Sequence, residues 1–185
     1  QKGDWFKLIY EEKLVEGKSY GTGKIIAAEF NHKGENFYAF FFEKDDVDQA
    51  LLSFEKTVEI NPKFALAFMY RGVVLFFLKN YDKSFLDLSK TLELLLDNNI
   101  ANLYRGKIYY LFKKDNNNAI TDISRYLENN KYNYEAFLLR GNIYFHNQDY
   151  RQALEDFKTV KKINPSYYEA DLLINLLTKK ISENK

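Results

Sequence analysis

Residues 68–77, FMYRGVVLFF, set an Arg-Gly pair, Arg71-Gly72, ahead of an apolar and aromatic run. The pattern returns as NLYRGKIYYLF at 102–112 and as FLLRGNIYFH at 137–146. The three glycines, Gly72, Gly106 and Gly141, stand 34 and 35 residues apart. Small residues downstream keep the rhythm, with Ala50, Ser84, Ala119 and Ala153 separated by 34, 35 and 34 residues. Pro62 and Pro165 lie 103 residues apart, which is three such steps. Three kinds of marker with one period describe a repeat array rather than a single irregular core.

Each unit has the pattern of two helices. FALAFMYRGVVLFFL is apolar nearly all round and ends at KNYDK, after which SFLDLSKTLELLL carries apolar residues at helical spacing. A turn that short makes the two helices antiparallel neighbours. The second unit turns at KKDNNN, one residue longer, which accounts for the 35-residue step, and the third turns at NQDY. Pro62 and Pro165 each follow Asn, where proline ends one helix and admits the next at its first turn.

These residues resemble the tetratricopeptide repeat family. Its pattern is a large residue, Leu-Gly and Tyr at fixed spacing, then Ala, Phe and Pro. Phe137, Arg140, Gly141, Tyr144, Ala153, Phe157 and Pro165 match all of it except the Leu. Phe68, Arg71, Gly72, Leu75, Ser84 and Leu88 match more loosely, as do Asn102, Arg105, Gly106, Tyr109, Ala119 and Ile123. An earlier unit has Phe41, Ala50, Phe54 and Pro62 but Tyr38 in place of the glycine, so its first helix is expected to be irregular. The resemblance implies an all-α, right-handed superhelix of antiparallel helix hairpins. About four repeats are expected at 31–64 (divergent), 65–98, 99–133 and 134–167, with a capping helix at 167–185 and a segment outside the register at 1–30.

The missing glycine side chains let the second helix of each unit approach the first, with Ser84, Ala119 and Ala153 as the expected points of approach. The arginine departs from the family pattern. Asp87, Asp122 and Asp156 occur in the units that have it, whereas the earlier unit has Phe37 and Ser53 at both places. Joint presence and joint absence predict the pairs Arg71–Asp87, Arg105–Asp122 and Arg140–Asp156, each bridging two helices of a unit. Such half-buried pairs fix geometry more than they add stability.

In the family the inner wall is lined by first-helix residues at fixed offsets from the glycine. Carried over, the resemblance implies a wall of Leu66, Met69, Val73, Phe76 and Phe77, then Ile100, Leu103, Lys107, Tyr110 and Leu111, then Glu135, Leu138, Asn142, Phe145 and His146. Most of the first two sets is apolar, and an exposed surface of that kind calls for a cover. The family's carboxylate-binding chemistry is not expected, because Met69 and Val73 replace its Lys and Asn, leaving only Lys107 and Asn142 of suitable type. The expected partner is a segment of another polypeptide, with Phe76, Phe77, Tyr110 and Phe145 as anchors. The alternative is a self-associating homo-oligomer, or a groove filled by the chain's own first residues.

DWFKLIYEEKLVEG has the pattern of an amphipathic helix capped by Asp4 and ended by Gly17, with Trp5, Leu8, Ile9 and Val15 as its stripe, followed by a loop, SYGTGK. That loop is no phosphate cradle: five residues separate Gly17 from Gly23, and Ile25 replaces the magnesium-binding hydroxyl. Charges sum to +1, which disfavours nucleic acid, RNA included, and gives no field toward a membrane. No apolar run approaches the roughly 20 residues of a membrane span. The chain begins at Gln1, which leaves room upstream for a signal peptide or anchor, and the compartment stays open. It has no cysteine, and His32 and His146 stand apart from any metal-ligand spacing, so neither metal, cofactor nor catalytic residues are expected. Function is expected to be adaptor or scaffold work rather than catalysis.

Overall fold

The repeated pattern folds as helix hairpins because each amphipathic helix buries its apolar stripe only against its neighbour. The structure, a computed structural model, describes residues 4–10, 13–21, 25–32, 35–42 and 47–183. The chain divides into two units, 1–96 and 97–185. The first holds strands β1 (Asp4–Tyr10), β2 (Lys13–Gly21), β3 (Ile25–His32) and β4 (Glu35–Phe42), then helices α1 (Val47–Ile60), α2 (Ala65–Phe77) and α3 (Tyr81–Leu94). The second holds α4 (Asn99–Ile108), a π-turn (Tyr109–Lys113), α5 (Asn116–Asn129), α6 (Tyr134–His146), α7 (Tyr150–Ile163) and α8 (Tyr168–Glu183). From Val47 onward this is the all-α architecture of helix hairpins, α2 with α3, α4 with α5 and α6 with α7, ending on α8.

Residues 4–17 depart from the helix expected of them. Asp4–Tyr10 forms β1 and Lys13–Gly21 forms β2, with Gly17 inside β2, and residues 19–21, expected in a loop, continue that strand. The four strands make an antiparallel sheet in the order β1-β2-β3-β4, whose register sets Lys7 opposite Glu16, Gly17 opposite Phe30 and His32 opposite Glu35. Composition supplies the reason. Trp5, Ile9, Val15, Tyr20, Ile25, Ile26, Phe37, Tyr38, Phe40, Phe41 and Phe42 are β-branched or aromatic, types that lose rotamer freedom in a helix and suit a pleated surface. The divergent unit at 31–64 accordingly keeps only its second helix. Phe37, Tyr38 and Phe41 lie in β4, which packs against α1 where a first helix was expected.

Each hairpin turns through one residue in the left-handed conformation: Lys79 (φ 62°), Lys114 (φ 56°) and Gln148 (φ 66°). The following helix starts at Tyr81, Asn116 and Tyr150, two residues on in every case. The extra residue of the 35-residue unit therefore does not sit in the turn, as the length of KKDNNN suggested. It sits in the π-turn. Asn80 N–H donates to Leu75 O (2.9 Å) and Asp149 N–H to Tyr144 O (2.8 Å), each five residues back, whereas Asp115 N–H donates to Tyr109 O (3.0 Å), six back. A helix widened by one residue keeps the turn geometry intact.

The glycines admit the second helix, but the closest neighbours are not the small residues. A Cβ at Gly72 would stand 3.0 Å from Leu88 Cγ, at Gly106 2.9 Å from Ile123 Cγ1, and at Gly141 2.8 Å from Phe157 Cε1. These neighbours lie one helical turn beyond Ser84, Ala119 and Ala153. Ser84 contributes otherwise, its hydroxyl donating to Gly72 O at 2.6 Å. Leu88, Ile123 and Phe157 are fully buried, so these contacts form the centre of each hairpin core. Asn98 and Asn133 cap α4 and α6 by accepting from the N–H of Ala101 (2.8 Å) and Ala136 (3.0 Å).

Candidate functional site

Two layers build the surface of each hairpin: arginine clasps that hold its helices in register, and the first-helix side chains that those clasps position. Arg71 donates through Nε and Nη2 to the two carboxylate oxygens of Asp87, both at 2.7 Å. Arg105 holds Asp122 in the same way at 2.7 and 2.8 Å, and Arg140 holds Asp156 at 2.9 and 2.7 Å. The three aspartates are buried, and hydrogen bonding to them pushes Arg71 and Arg105 above an already high ordinary pKa. Aromatic rings lie against the guanidinium groups: Phe68 at 5.5 Å from Arg71, Tyr109 at 5.7 Å from Arg105, and both Phe137 (5.5 Å) and Tyr144 (5.8 Å) at Arg140. With two N–H donors committed to a buried aspartate of the neighbouring helix, each of these arginines is a structural clasp.

In the first unit the expected wall residues divide. Met69 is 2% exposed and belongs to the core, a correction that follows from its place on the side of α2 that faces neighbouring helices. Leu66 and Val73 are half-buried. Phe76 is half-buried with its ring edge-on to Phe77 (5.8 Å) and Tyr81 (5.6 Å), and Phe77 is 67% exposed.

In the second unit the expected residues fall on adjoining stripes of α4, its π-turn and α6. Leu103 and Tyr110 pack on the core cluster that includes Ala136 and Ile143 of α6, and the Tyr110 ring lies 6.0 Å from that of His146. Leu138 and Phe145 pack on the Ala153, Phe157 and Leu177 cluster, Phe145 also lying 5.9 Å from Tyr150. Asn142 is half-buried, while Leu111, in the π-turn, and Ile100 are each 43% exposed. Glu135 and His146 are exposed. Lys107 stands over the Tyr104 ring at 5.0 Å. Burial lowers its ammonium from the ordinary lysine range, with Glu135 acting in the opposite direction.

Two further wall residues lie on α8, which the sequence presents as a cap. Leu172 and Leu176 fall 34 residues after Leu138 and Asn142, and they are 64% and 44% exposed. The period alone could have found them. The counterparts on α8 of Phe137, Gly141 and Tyr144 are Asp171, Asn175 and Thr178, so the side that would receive another second helix is polar. One side of α8 is thus polar and another presents leucines. Among the described residues no cluster of His, Cys, Asp and Glu could hold a metal ion, and no helix is long and apolar enough to cross a membrane.

Residues 134–167 match the tetratricopeptide repeat family. Over 39 residues, 21% of this chain, the sequence is 54% identical to the peptidoglycan DD-endopeptidase ShyC of Vibrio cholerae, a stretch that spans 9% of that relative. The fold is similar to that of MamA, with a TM-score of 0.67 and 19% identity, over 75% of this chain and 81% of that one. It is similar too to YrrB, a tetratricopeptide repeat protein with an unusual peptide-binding site, with a TM-score of 0.68 and 19% identity over 75% of this chain and 71% of that one.

Proposed function

Because residues 134–167 match the tetratricopeptide repeat family and the helices share the fold of MamA and YrrB, we propose that the chain works as a non-catalytic adaptor that holds a segment of another polypeptide. The binding wall of the second unit comprises Leu103, Lys107, Tyr110 and Leu111, then Leu138, Asn142 and Phe145, and then Leu172 and Leu176. Leu66, Val73, Phe76 and Phe77 are the first unit's own binding residues. Met69, being core, is left out.

The observation that carries this reading is the pair of exposed leucines on α8. They repeat the register of Leu138 and Asn142, two of the wall positions of the preceding hairpin. Leaving both partly in water forgoes on the order of 1 kcal/mol for each, which a bound apolar segment recovers. A peptide-binding site in YrrB, a relative by fold, agrees with this use of the architecture.

The test places a photo-crosslinking amino acid at position 172, at 111 and, as control, at the exposed Arg125 on α5. The expected result is one discrete heterologous adduct from 172 and 111 in native lysate, absent from 125 and lost on Leu176→Asp. An adduct of the chain with itself would replace the adaptor by a self-associating module. Labelling unaffected by Leu176→Asp would end the proposal.

A further inference from the structure

A cleft of about 480 Å³ opens in the first unit among α1, α2 and α3, with Leu51, Arg71, Leu75, Leu78, Leu86 and Asp87 in its lining. One difference from the later hairpins bears on it directly. Leu75 occupies the place that Tyr109 and Tyr144 hold in the later hairpins. Burial pushes the Tyr144 phenol above its ordinary pKa, and the charges acting on it are those of Arg140, Asp156 and Asp149. The counterparts of these three residues two repeats earlier are Arg71, Asp87 and Asn80, and all three line the cleft. The tyrosine ring of the last hairpin thus fills the room that leucine leaves open in the first.

The guanidinium groups record the same difference. Arg140 lies between two rings, Phe137 at 5.5 Å and Tyr144 at 5.8 Å. Arg71 has Phe68 at 5.5 Å and, among the described residues, no second ring. Four leucines share the cleft with it, and two of them are open to water, Leu78 at 48% and Leu86 at 67% exposed. An anion is a poor occupant. Asp87 already takes two N–H donors of Arg71, and the two other charges of the lining, Glu55 and Lys83, are of opposite sign, so the cleft carries no net positive charge to draw one. A neutral π-face meets the guanidinium without needing that charge.

We propose that this cleft is a binding site for an aromatic side chain of a partner polypeptide, a tyrosine or phenylalanine ring that stacks on Arg71 among Leu51, Leu75, Leu78 and Leu86. The bound ring completes in trans the arrangement that Tyr144 completes in cis. The site is built from residues of the first unit alone, and its test and that of the second unit's wall can fail independently.

The test is a methyl-labelled leucine NMR titration of the full chain with p-cresol, cyclohexanol, N-acetyl-tyrosine amide and N-acetyl-leucine amide. p-Cresol and the tyrosine amide are expected to shift the methyls of Leu51, Leu75, Leu78 and Leu86. The two non-aromatic probes are expected to bind about tenfold more weakly or not at all. Leu75→Tyr supplies the ring internally and should abolish the shifts while leaving the helical circular dichroism spectrum unchanged. Should that variant misfold, the exposed-site change Leu86→Glu makes the same test and should weaken p-cresol about tenfold. Equal response to cyclohexanol, or shifts that survive both variants, would overturn the site. Binding of p-cresol without the tyrosine amide would overturn its assignment to a polypeptide side chain.

Discussion

Arg140 holds three partners at once: Nε and Nη2 reach the two oxygens of Asp156 at 2.9 and 2.7 Å, and Nη1 reaches Ser124 Oγ at 2.9 Å. One side chain of α6 is thereby fastened to α7 and to α5. Removing the arginine alone strands a buried carboxylate, whereas removing both partners strands nothing. Arg140→Leu is therefore expected to cost about 3 kcal/mol in urea unfolding, and Arg140→Leu with Asp156→Leu to recover most of it. A double variant as weak as the single would show that the carboxylate, not its isolation, is what the fold requires.

Gly141→Ala tests the close approach of α6 and α7. The added Cβ would stand 2.8 Å from the ring of Phe157, which is fully buried. Overpacking costs about 1–3 kcal/mol, and the better helix propensity of alanine returns about 1. A net loss is expected in thermal unfolding. Gly72→Ala, which meets the more pliant Leu88 side chain at 3.0 Å, should lose less. Equal losses would argue against side-chain stiffness as the cause.

Lys107→Met should stabilise the isolated chain. Burial lowers the folded-state pKa of Lys107, so the unfolded state binds its proton more tightly. Stability contributed by this group consequently rises with pH from the lowered pKa up to the ordinary lysine value, and at neutral pH the charged group penalises folding. The variant removes that rise, which chemical denaturation at a series of alkaline pH values would measure. If Lys107→Met instead destabilises at pH 7, its contact with Tyr104 outweighs its desolvation.

Deleting Lys113, exposed at the end of the π-turn, should yield a 34-residue unit with a regular helix in place of Tyr109–Lys113. The turn itself is unchanged in length, so the unfolding free energy is expected within about 0.5 kcal/mol of the parent, the scale of a surface change. Leu111 and Tyr110 rotate relative to α6 on such a deletion, and the crosslink from position 111 should weaken. Cooperative unfolding lost altogether would make the π-turn a requirement of the core.

The sequence alone determined the hairpin array, because its markers are local and periodic. Gly72, Gly106 and Gly141, the prolines and the apolar stripes each act within a few turns of helix, and their spacing repeats. It also pointed to the clasps, since Arg and Asp come and go together across the units. The four strands needed the tertiary structure. Trp5, Leu8 and Ile9 suit a helical stripe as well as a strand, and only pairing with β2, and through it β3 and β4, decides between them. Tertiary packing likewise placed Met69 in the core, put the extra residue of the 35-residue unit in a widened helix, and left a cleft at Leu75. Each of these depends on neighbours remote in the chain, for which the local pattern carries no energy term.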